Sequence, residues 1–477
     1  MTRSNVVPTG LNSLEYAQLL PKVLDAALAY LDALPEKPVV VPNNDPELHQ
    51  VMGGPLSVGG SAPEAVLERL VRGGDLGTVP SSSSRYFGYV VGGALPVALA
   101  ADWLATAWDQ CGALYDLSPL ISILEEICRG WLVNLFQLPR QTQIAFTPAC
   151  TYANLTCLSA ARHAVLARHG WDVESRGLDG APQVTVLMSE TIHASVPRSL
   201  RVLGLGNVRT LSTDASGRID ISQYEDELNR VPDGPLIVCG QVGEVNTGIV
   251  DPLRRLSALA HERGGWVHLD GAFGLWAAAT DRRYGLLDGL ELADSWATDA
   301  HKWLNVPYDC GMAFVADGDV QHDALKISPD YLHQENTEQR HAVGIGLHFS
   351  TRSRVIPVWA VLAQLGSDGV KEMIDRHCAL ARMLAALLAE EPYVEVLNEV
   401  SLNQVAVRFH RPDRDSDTHT MQVSAAFQQA GVAWASTSRW RGDAILRLSV
   451  INWATTEEDI TQAATSLLDC HRHLIAS

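Results

Sequence analysis

The stretch "DSWATDAHKWLNVPYDCG", Asp294 to Gly311, contains the residue on which the interpretation of this chain depends. Lys302 directly follows His301 and lies between two apolar segments, "SWATDAH" and "GMAFVADG", each with the length of a buried strand. Burying an ammonium group without a partner is costly, so a lysine at this position needs a bonding partner. The stretch therefore predicts that Lys302 is bonded to another group at the end of a strand.

Further short apolar segments lie on both sides of this stretch, between Tyr86 and Arg354. The segments "QIAFT", "QVTVLMSE", "GPLIVCGQV" and "GWVHLDGAFG" alternate with helical patterns, one of which has Ser118 as a predicted N-cap and Pro119 at its first position. Their density of Val, Ile, Leu and Trp is typical of strands buried on both faces. The alternation predicts an α/β fold with a large mixed or parallel sheet and helices on both faces.

Three regions follow from the order of these patterns. Residues 1–85 are predicted to be an N-terminal helical segment, and residues 86–354 a large domain that holds the sheet. Residues 355–477 are predicted to form a small α+β C-terminal domain, with a long helix broken at "LGSDG" and strands at "YVEVLNEV", "NQVAVRFHR" and "AILRLSVI". The last helix is predicted to begin with a capping box of Thr455 and Glu458.

The composition excludes several classes of function. A net charge of -19 over 477 residues argues against a protein that binds nucleic acid or an anionic membrane, because such binding needs a basic face. The eight cysteines are scattered without a C-x-x-C pair, so neither a metal site nor a disulfide framework is expected. No secretory signal and no run of about 20 apolar residues is present, which favours a cytoplasmic protein.

Polar side chains follow several of the predicted strands, where the active sites of open α/β sheets gather. They form four groups: His193; Asp270 with Ala272; Asp299 with His301 and Lys302; and Cys150 with Thr151 at a strand-to-helix turn.

These groups suit the chemistry of pyridoxal 5′-phosphate (PLP). Lys302 can form a Schiff base with the aldehyde of that cofactor. Asp270 can keep the pyridine nitrogen protonated so that the ring accepts electrons, and His193 can stack on the ring. The backbone amides at Cys150 and Thr151 open a helix, where a phosphate group is favoured.

The order of His193, "HLDGAFG" and "DAHKWLNVPYDCG" resembles the group II PLP-dependent amino-acid decarboxylases, which have PLP-dependent transferase fold type I. The resemblance extends from "SRYFGYVVGGALPVALAADWL" to "LRLSVINWATTEED". It implies Lys302 as the Schiff-base lysine, Asp270 as the pyridinium partner, His193 as the stacking residue and Thr151 as a phosphate ligand. It also implies that Asp299 and His301 lie near the phosphate or the lysine, and that Asn246 and Thr247 line the cofactor loop.

The resemblance carries expectations about the substrate and the assembly as well. Tyr86, Phe87 and Tyr89 match the aromatic substrate wall of the family. A homodimer is implied, in which the loop around Gly344 reaches the cofactor of the neighbouring subunit; symmetric dimers are also the commonest closed oligomers. The substrate is expected to be a small amino-acid-type molecule with a bulky or aromatic side chain.

Two departures from the family pattern affect the predicted chemistry. Pro148-Ala149-Cys150 replaces the usual Gly-rich turn before the phosphate helix. The family also has a mobile loop whose tyrosine protonates Cα after CO2 leaves, but "QENTEQRHAVGIGLHFSTRSRVIPVW" contains none, and Ala342 occupies the matching position. Without this acid the carbanion can react with O2 and give an aldehyde, or undergo elimination where the substrate has a leaving group at Cβ. The aldehyde synthases of the family also lack the loop tyrosine, as do the enzymes that tailor lincosamide antibiotics, which the C-terminal segments of this chain resemble. His341 or His348 is the alternative acid, because an imidazolium can donate at neutral pH.

Each singled-out residue also has an ordinary structural role open to it. Asp270 can cap a turn, His193 can be a hydrogen-bonded core histidine, and Thr151 can be a helix N-cap. His341 can be a solvated loop residue. Arg447 lies in the strand "ILRLSVI" and points toward either a ligand or a salt bridge.

Three functions remain open at this point. The leading interpretation is cleavage of the bond between Cα and the carboxylate of an α-amino acid. A second is a PLP-dependent aminotransferase or β-eliminating C–S lyase, in which Lys302 would remove the α-proton. A third is a PLP-fold protein that binds a ligand or partner without catalysis.

Overall fold

A computed structural model describes residues 13–56, 58–327 and 340–476 of the chain. Within these ranges, every helix is either too short or too polar to cross a membrane.

The centre of the molecule is a seven-stranded mixed sheet, with the strand order β1-β7-β6-β5-β4-β2-β3. Its strands are β1 (Gln143–Thr147), β2 (Thr185–Ser189), β3 (Val208–Leu211), β4 (Leu236–Gln241), β5 (Trp266–Asp270), β6 (Ser295–Asp299) and β7 (Gly311–Val315). Neighbouring strands from β3 to β6 are parallel, whereas β7 pairs antiparallel with both β1 and β6. The carboxyl ends of β2, β4, β5 and β6 therefore meet at one edge of the sheet.

Helices precede and cover this sheet. The N-terminal region contains α1 (Ser13–Ala33), α2 (Asp45–Met52), α3 (Pro63–Gly77), α4 (Pro96–Trp108) and α5 (Pro119–Phe136). The helices between and after the strands are α6 (Cys150–Ala167), α7 (Val173–Arg176), α8 (Ser195–Val202), α9 (Ile221–Arg230), α10 (Leu253–Glu262), α11 (Arg283–Leu286) and α12 (Gly318–Leu325). Short 3-10 helices span Tyr115–Leu117, Gly274–Ala279, Leu290–Leu292 and Ala342–Gly344.

The sheet is buried on both faces, as its apolar strands predict. Every residue of β4, β5, β6 and β7 is buried. Side chains alternate across β5: Val267 and Leu269 join the core under α5 and α10, whereas Trp266 joins the core under α6. Residue 270, at the end of β5, points to the α6 side by the same alternation.

The C-terminal region contains a second, smaller sheet. Strands β8 (Val394–Val396), β9 (Gln404–Phe409), β10 (Ser436–Trp440) and β11 (Asp443–Ser449) are antiparallel in the order β10-β11-β9-β8. They pack with α13 (Val355–Ala389), α14 (Ser416–Ala430) and α15 (Glu457–Ala476). Helix α13 has non-helical backbone angles at Gly366, within the predicted break. Its first part packs into the core of the large sheet and its last turns into that of the small one.

The structure confirms the α/β architecture, the helix start at Ser118 and Pro119, and each strand predicted from an apolar segment. It adds β3 and β10, which the prediction missed because half or more of the residues in their sequences, "VRTL" and "STSRW", are polar. The predicted capping box is wrong by one residue: the reciprocal bonds join Thr456 and Asp459, while the Thr455 hydroxyl bonds the carbonyl of Ser84. The region boundaries at residues 85 and 354 stay a prediction.

Candidate active site

Lys302 lies in the turn that follows β6, and its ammonium group is held by a carboxylate. The Nζ atom is 3.0 Å from Oδ2 of Asp299, and only 19% of the lysine side chain is exposed. Burial alone would lower the pKa of Lys302, but the neighbouring negative groups, Asp299 first, raise it above its ordinary value. Asp299 is thus the bonding partner that the sequence requires for this lysine.

The turn that carries Lys302 is fixed by contacts with two distant segments. Asn305 adopts a left-handed backbone (φ 56°), and its side chain donates to the carbonyl of Ile451 and accepts from the amide of Gly93. The backbone at Gly92 approaches so closely that a Cβ there would lie 2.1 Å from the carbonyl oxygen of Lys302. The small domain and the start of the large domain therefore position the lysine together.

Asp299 links the lysine to the helix behind it. Its Oδ1 accepts a 2.6 Å hydrogen bond from the amide of Cys150, the first residue of α6. Its Oδ2 is 3.7 Å from Nε2 of His301, whose Nδ1 accepts from the amide of Cys310. Burial lowers the pKa of His301 despite the nearby carboxylate. The carboxylate therefore bridges the lysine and the positive end of the α6 dipole.

Asp270 ends β5 and accepts hydrogen bonds from four donors. Its Oδ1 accepts from the amide of Ala272 at 3.1 Å and from the thiol of Cys150 at 3.4 Å. Its Oδ2 accepts from Nδ2 of Asn154 at 3.1 Å and from the hydroxyl of Ser195 at 3.3 Å. With four donors around it, this buried carboxylate is both satisfied and fixed in orientation.

His193 follows β2 and is connected to the same carboxylate through Ser195. Its Nδ1 is 2.8 Å from the Ser195 hydroxyl and 3.3 Å from the Ser195 amide. A hydroxyl has one proton, so Ser195 donates to either Asp270 or His193 at a time. The serine thus joins His193 to Asp270.

The turn before α6 is compact although it lacks a Gly-rich sequence. Helix α6 begins at Cys150 after an extended Ala149, so Ala149 rather than Thr151 is the N-cap residue. A Cβ at Gly311 would lie 2.5 Å from the backbone of Ala149, so the close approach is provided by a glycine on β7. Burial raises the pKa of the Cys150 thiol, which keeps it neutral. The first amides of α6 lie beside Asp299 and Asp270, where a phosphate ligand is predicted.

Asn246 and Thr247 lie in a loop that a buried glutamate holds in place. Glu244 accepts from the amide and side chain of Asn246 and from the amide and hydroxyl of Thr247, at 2.8–2.9 Å. The Ser438 hydroxyl donates to Oδ1 of Asn246 from the small domain. Asn246 and His193 line a cavity of about 700 Å³ between the two domains.

The three aromatic residues predicted as a substrate wall have different environments. Tyr86 is buried and stacks on Trp434, with ring centroids 5.0 Å apart. Tyr89 is 64% exposed and packs at 5.3 Å against the same indole. Phe87 is 1% exposed within the core of the small domain, and its role in a substrate wall stays a prediction.

Arg447 is buried between the domains rather than exposed on its strand. Its guanidinium donates to the carbonyl of Val245 and to the hydroxyl of Ser436, while its Nε has no partner among the described residues. Burial lowers the pKa of Arg447, partly offset by Glu244 and Tyr89. Arg447 therefore supports the loop that contains Asn246.

His341 lies immediately before the Ala342–Gly344 helix. Its Nδ1 accepts from the amide of Tyr115, and in the described part of the chain its buried Nε2 has no partner. His348 packs at 5.4 Å against the ring of Tyr152, on the first turn of α6, and its Nε2 is likewise buried without a partner. Residues 334–339 of the predicted loop lie outside the described residues.

Sequence reasoning missed four polar residues of the site: Asn154, Ser195, Glu244 and Tyr308. Asn154 is one helical turn after Cys150 and Ser195 is two residues after His193, so spacing alone would have indicated both. The Tyr308 ring is 4.4 Å from that of His301, within the stretch that contains Lys302. Nothing in the local sequence singled out Glu244.

The chain is similar to known proteins in both sequence and fold. The family model described as "Pyridoxal-dependent decarboxylase conserved domain" matches residues 77–410. An aromatic-L-amino-acid decarboxylase from Bacillus atrophaeus is 26% identical over 465 residues, covering 95% of this chain and 94% of the relative. A phenylacetaldehyde synthase from Arabidopsis thaliana is 24% identical over 400 residues, 80% of each protein. The crystal structure of Oryza sativa TDC with PLP and tryptamine superposes with a TM-score of 0.91 at 22% identity, covering 98% of this chain and 100% of that one, which confirms the predicted fold.

Proposed function

Because the chain belongs to the pyridoxal-dependent decarboxylase family and is a PLP-dependent carboxy-lyase, we propose that it removes the α-carboxylate of an amino acid at the site around Lys302. The observation that carries this proposal is the bonding of Lys302, Asp270 and His193 into one polar cluster at the sheet edge. Cys150 connects the first two through Asp299, and Ser195 connects the last two.

The residues present fit PLP, which supplies an electron sink when it is bound. Lys302 would hold its aldehyde, and the adjacent Asp299 would accept or return the proton of the lysine amine. Asp270 would hold a proton on the ring nitrogen, and His193 would cover one face of the ring. Of the first amides of α6, that of Cys150 already bonds Asp299, so the amide and hydroxyl of Thr151 would bind the phosphate.

We propose further that the reaction continues to an aldehyde. The matched position of the family's loop tyrosine is Ala342, whose methyl group cannot donate a proton. The similarity to a phenylacetaldehyde synthase supports this branch. The overall balance is amino acid, O2 and water giving aldehyde, CO2, ammonia and hydrogen peroxide. His341 remains the proposed acid for any share that is protonated to amine.

The assembly we propose is a homodimer with a shared active site. Apolar side chains on α1, α4 and α5 are exposed in the single chain, among them Leu20, Leu28, Trp103, Trp108 and Trp131. Clustered apolar exposure of this kind marks an interface. In such a dimer, residues 341–348 would reach the cofactor of the neighbouring subunit. Light scattering should give twice the mass of 51.7 kDa.

The substrate and the biological setting rest on the sequence. Tyr86 and Tyr89 favour a bulky or aromatic side chain, and the resemblance of the C-terminal segments to lincosamide-tailoring enzymes favours secondary metabolism and antibiotic biosynthesis. S-substituted cysteines should therefore be tested beside aromatic amino acids. A cytoplasmic location is part of the proposal, because all eight cysteines are free thiols, as is usual in a reducing compartment.

The proposed reaction is tested by product analysis with candidate amino acids. CO2 with aldehyde, ammonia and O2 uptake is expected, while CO2 with amine alone would refute the oxidative branch. Retention of the carboxylate would refute decarboxylation and favour an aminotransferase or β-eliminating lyase. Lys302→Ala should lose all of these products, whereas Lys326→Ala, at an exposed lysine paired with Asp323, should not.

A further inference from the structure

A chain of buried polar residues extends behind Asp270, away from the predicted cofactor. It passes through Asn154 on α6, His268 on β5, Ser295 at the start of β6, and Trp266 on β5. Trp266, His268 and Asp270 alternate along β5, so all three face α6. His268 and Ser295 are also direct neighbours in the strand register. None of these four residues is required to contact the cofactor or the substrate.

The carboxylate end of the chain fixes the direction of its hydrogen bonds. The Asp270 carboxylate can only accept, so the Asn154 atom at 3.1 Å from it is the amide nitrogen. The amide oxygen of Asn154 then faces Nε2 of His268 at 2.9 Å, and an oxygen can only accept. Nε2 of His268 must therefore carry the proton.

The other end of the chain requires the same direction. The indole of Trp266 can only donate, and it does so to the Ser295 hydroxyl at 2.9 Å. Ser295 in turn lies 3.0 Å from Nδ1 of His268, which is bare when Nε2 carries the only proton. The serine hydrogen therefore points to Nδ1, and each residue donates toward Asp270.

The imidazole of His268 is fully buried and stays neutral. Burial lowers the pKa of His268 to about 4, although Asp270 opposes the shift. A protonated ring would present Nδ1–H to Ser295 and reverse that bond. The direction of the chain is therefore stable at neutral pH.

We propose that Trp266, Ser295, His268 and Asn154 form a one-way hydrogen-bond relay that orients the Asp270 carboxylate toward the ring nitrogen of the cofactor. His268 and Asn154 are positioning residues in this arrangement: they touch neither substrate nor cofactor and act through Asp270. The hydrogen bonds of the relay are seen in the structure and do not depend on any function. The effect of the relay on the cofactor rests on the function proposed above.

The relay itself is tested by histidine-selective ¹⁵N NMR on the holoenzyme. The signals of His268 are assigned by their loss in His268→Gln. A neutral ring protonated on Nε2 is expected from pH 5.5 to 8, and this tautomer should persist in Ser295→Ala because the Asn154 oxygen still accepts from Nε2. Protonation on Nδ1 or a cationic ring would overturn the relay, and neither result depends on catalysis.

The effect of the relay on the cofactor is tested by replacing Asn154, the last donor before Asp270. Asn154→Asp places a carboxylate against Asp270, and the dissociation constant for PLP should rise about tenfold or more, the equivalent of one hydrogen bond to a charged group. The visible absorbance band of the bound cofactor should also change its pH dependence. Thr156→Ala is the matched control, since among the described residues its hydroxyl, on the same helix, bonds the carbonyl of Tyr152.

Unchanged PLP affinity and an unchanged absorbance profile in a folded Asn154→Asp protein would refute the positioning role. Should that variant fail to fold, as judged by circular dichroism, Ser295→Ala provides the same two readouts at a site two steps further from Asp270. Unchanged values there would equally refute the role. If the decarboxylase proposal is wrong, the unmodified protein will still bind PLP but product analysis will show that the carboxylate is retained.

Discussion

The two walls of the candidate site are built in different ways. The inner wall, defined as Cys150, Asn154, Ser195, His268 and Asp270, is buried and its members are hydrogen-bonded to one another. The outer rim, defined as Tyr89, Tyr308, His341 and His348, contains two phenols more than half exposed and, on the loop that we propose to reach the neighbouring subunit, two imidazoles whose Nε2 atoms have no partner among the described residues.

The difference between the walls separates two tasks. A wall completed within one chain can hold a cofactor rigidly, because its rotamers are fixed by packing and hydrogen bonds. A rim with unsatisfied groups is completed by something else, which we propose to be substrate and a second subunit. We infer that the inner wall binds PLP and that the rim determines whether the carbanion left after CO2 departs is protonated or oxidised.

The largest effect is expected from breaking the inner wall at its carboxylate. Asp270→Asn keeps the shape but removes the negative charge that would hold the ring nitrogen protonated. We expect kcat to fall by roughly a hundredfold or more, the scale of a lost charged interaction of about 3 kcal/mol. Steady-state kinetics measures this, with exposed Asp288→Asn as the control. A loss below threefold would mean that Asp270 does not face the ring.

A change in the rim should alter the product without altering the fold. Ala342→Tyr returns a phenol to the position of the family's loop acid, so protonation should compete with O2. We expect the ratio of amine to aldehyde to rise about tenfold, the magnitude of one modest acid contribution. Chromatography of both products measures the ratio, and Ala342→Phe controls for ring size. An equal ratio in the Tyr and Phe variants would contradict the role given to this position.

The buried imidazoles make stability depend on pH. Burial lowers the pKa of His268 to about 4 and that of His377 to about 3, so both bind a proton on unfolding below their ordinary value of 6.5. Their stabilisation is complete above about pH 6.5 and is lost as pH falls. Asp251 opposes this, because burial raises its pKa to about 6. For these three groups alone, two protons against one give a loss of roughly 1.4 kcal/mol per pH unit between about pH 6 and 4.

Denaturant unfolding at several pH values measures this slope. His377→Gln keeps an acceptor for the Trp303 indole, which now bonds Nδ1 of His377, and should reduce the slope by about one proton. Exposed His49→Gln is the control. An unchanged slope in His377→Gln would show that this imidazole is protonated in the folded protein.

The smallest effect is expected from a single hydroxyl in the rim. Tyr89→Phe retains the contact with Trp434 and removes only the phenolic oxygen. We expect KM to change by about threefold or less with kcat unchanged, since an exposed hydroxyl contributes little net free energy. A large fall in kcat would contradict this prediction and show that the Tyr89 hydroxyl takes part in the reaction.

The sequence was sufficient for the parts of the molecule that depend on local pattern. Apolar segments indicated the strands, and the strand ends indicated Lys302, Asp270 and His193. It was insufficient where a residue's environment is created by a distant segment. Phe87 and Tyr89 are two residues apart, yet Trp434 and the small-domain core give them opposite environments. The relay through Ser295 and Asn154 was likewise invisible, because α6, β5 and β6 meet only in the folded chain.

The central claim is that Lys302 is the residue that binds PLP covalently. Borohydride reduction of the holoenzyme, followed by peptide mass spectrometry, locates the modified lysine directly. We predict a phosphopyridoxyl group on the peptide that contains Lys302, and loss of that adduct in Lys302→Ala. An adduct on another lysine, or none in a protein that retains stoichiometric PLP, would contradict it.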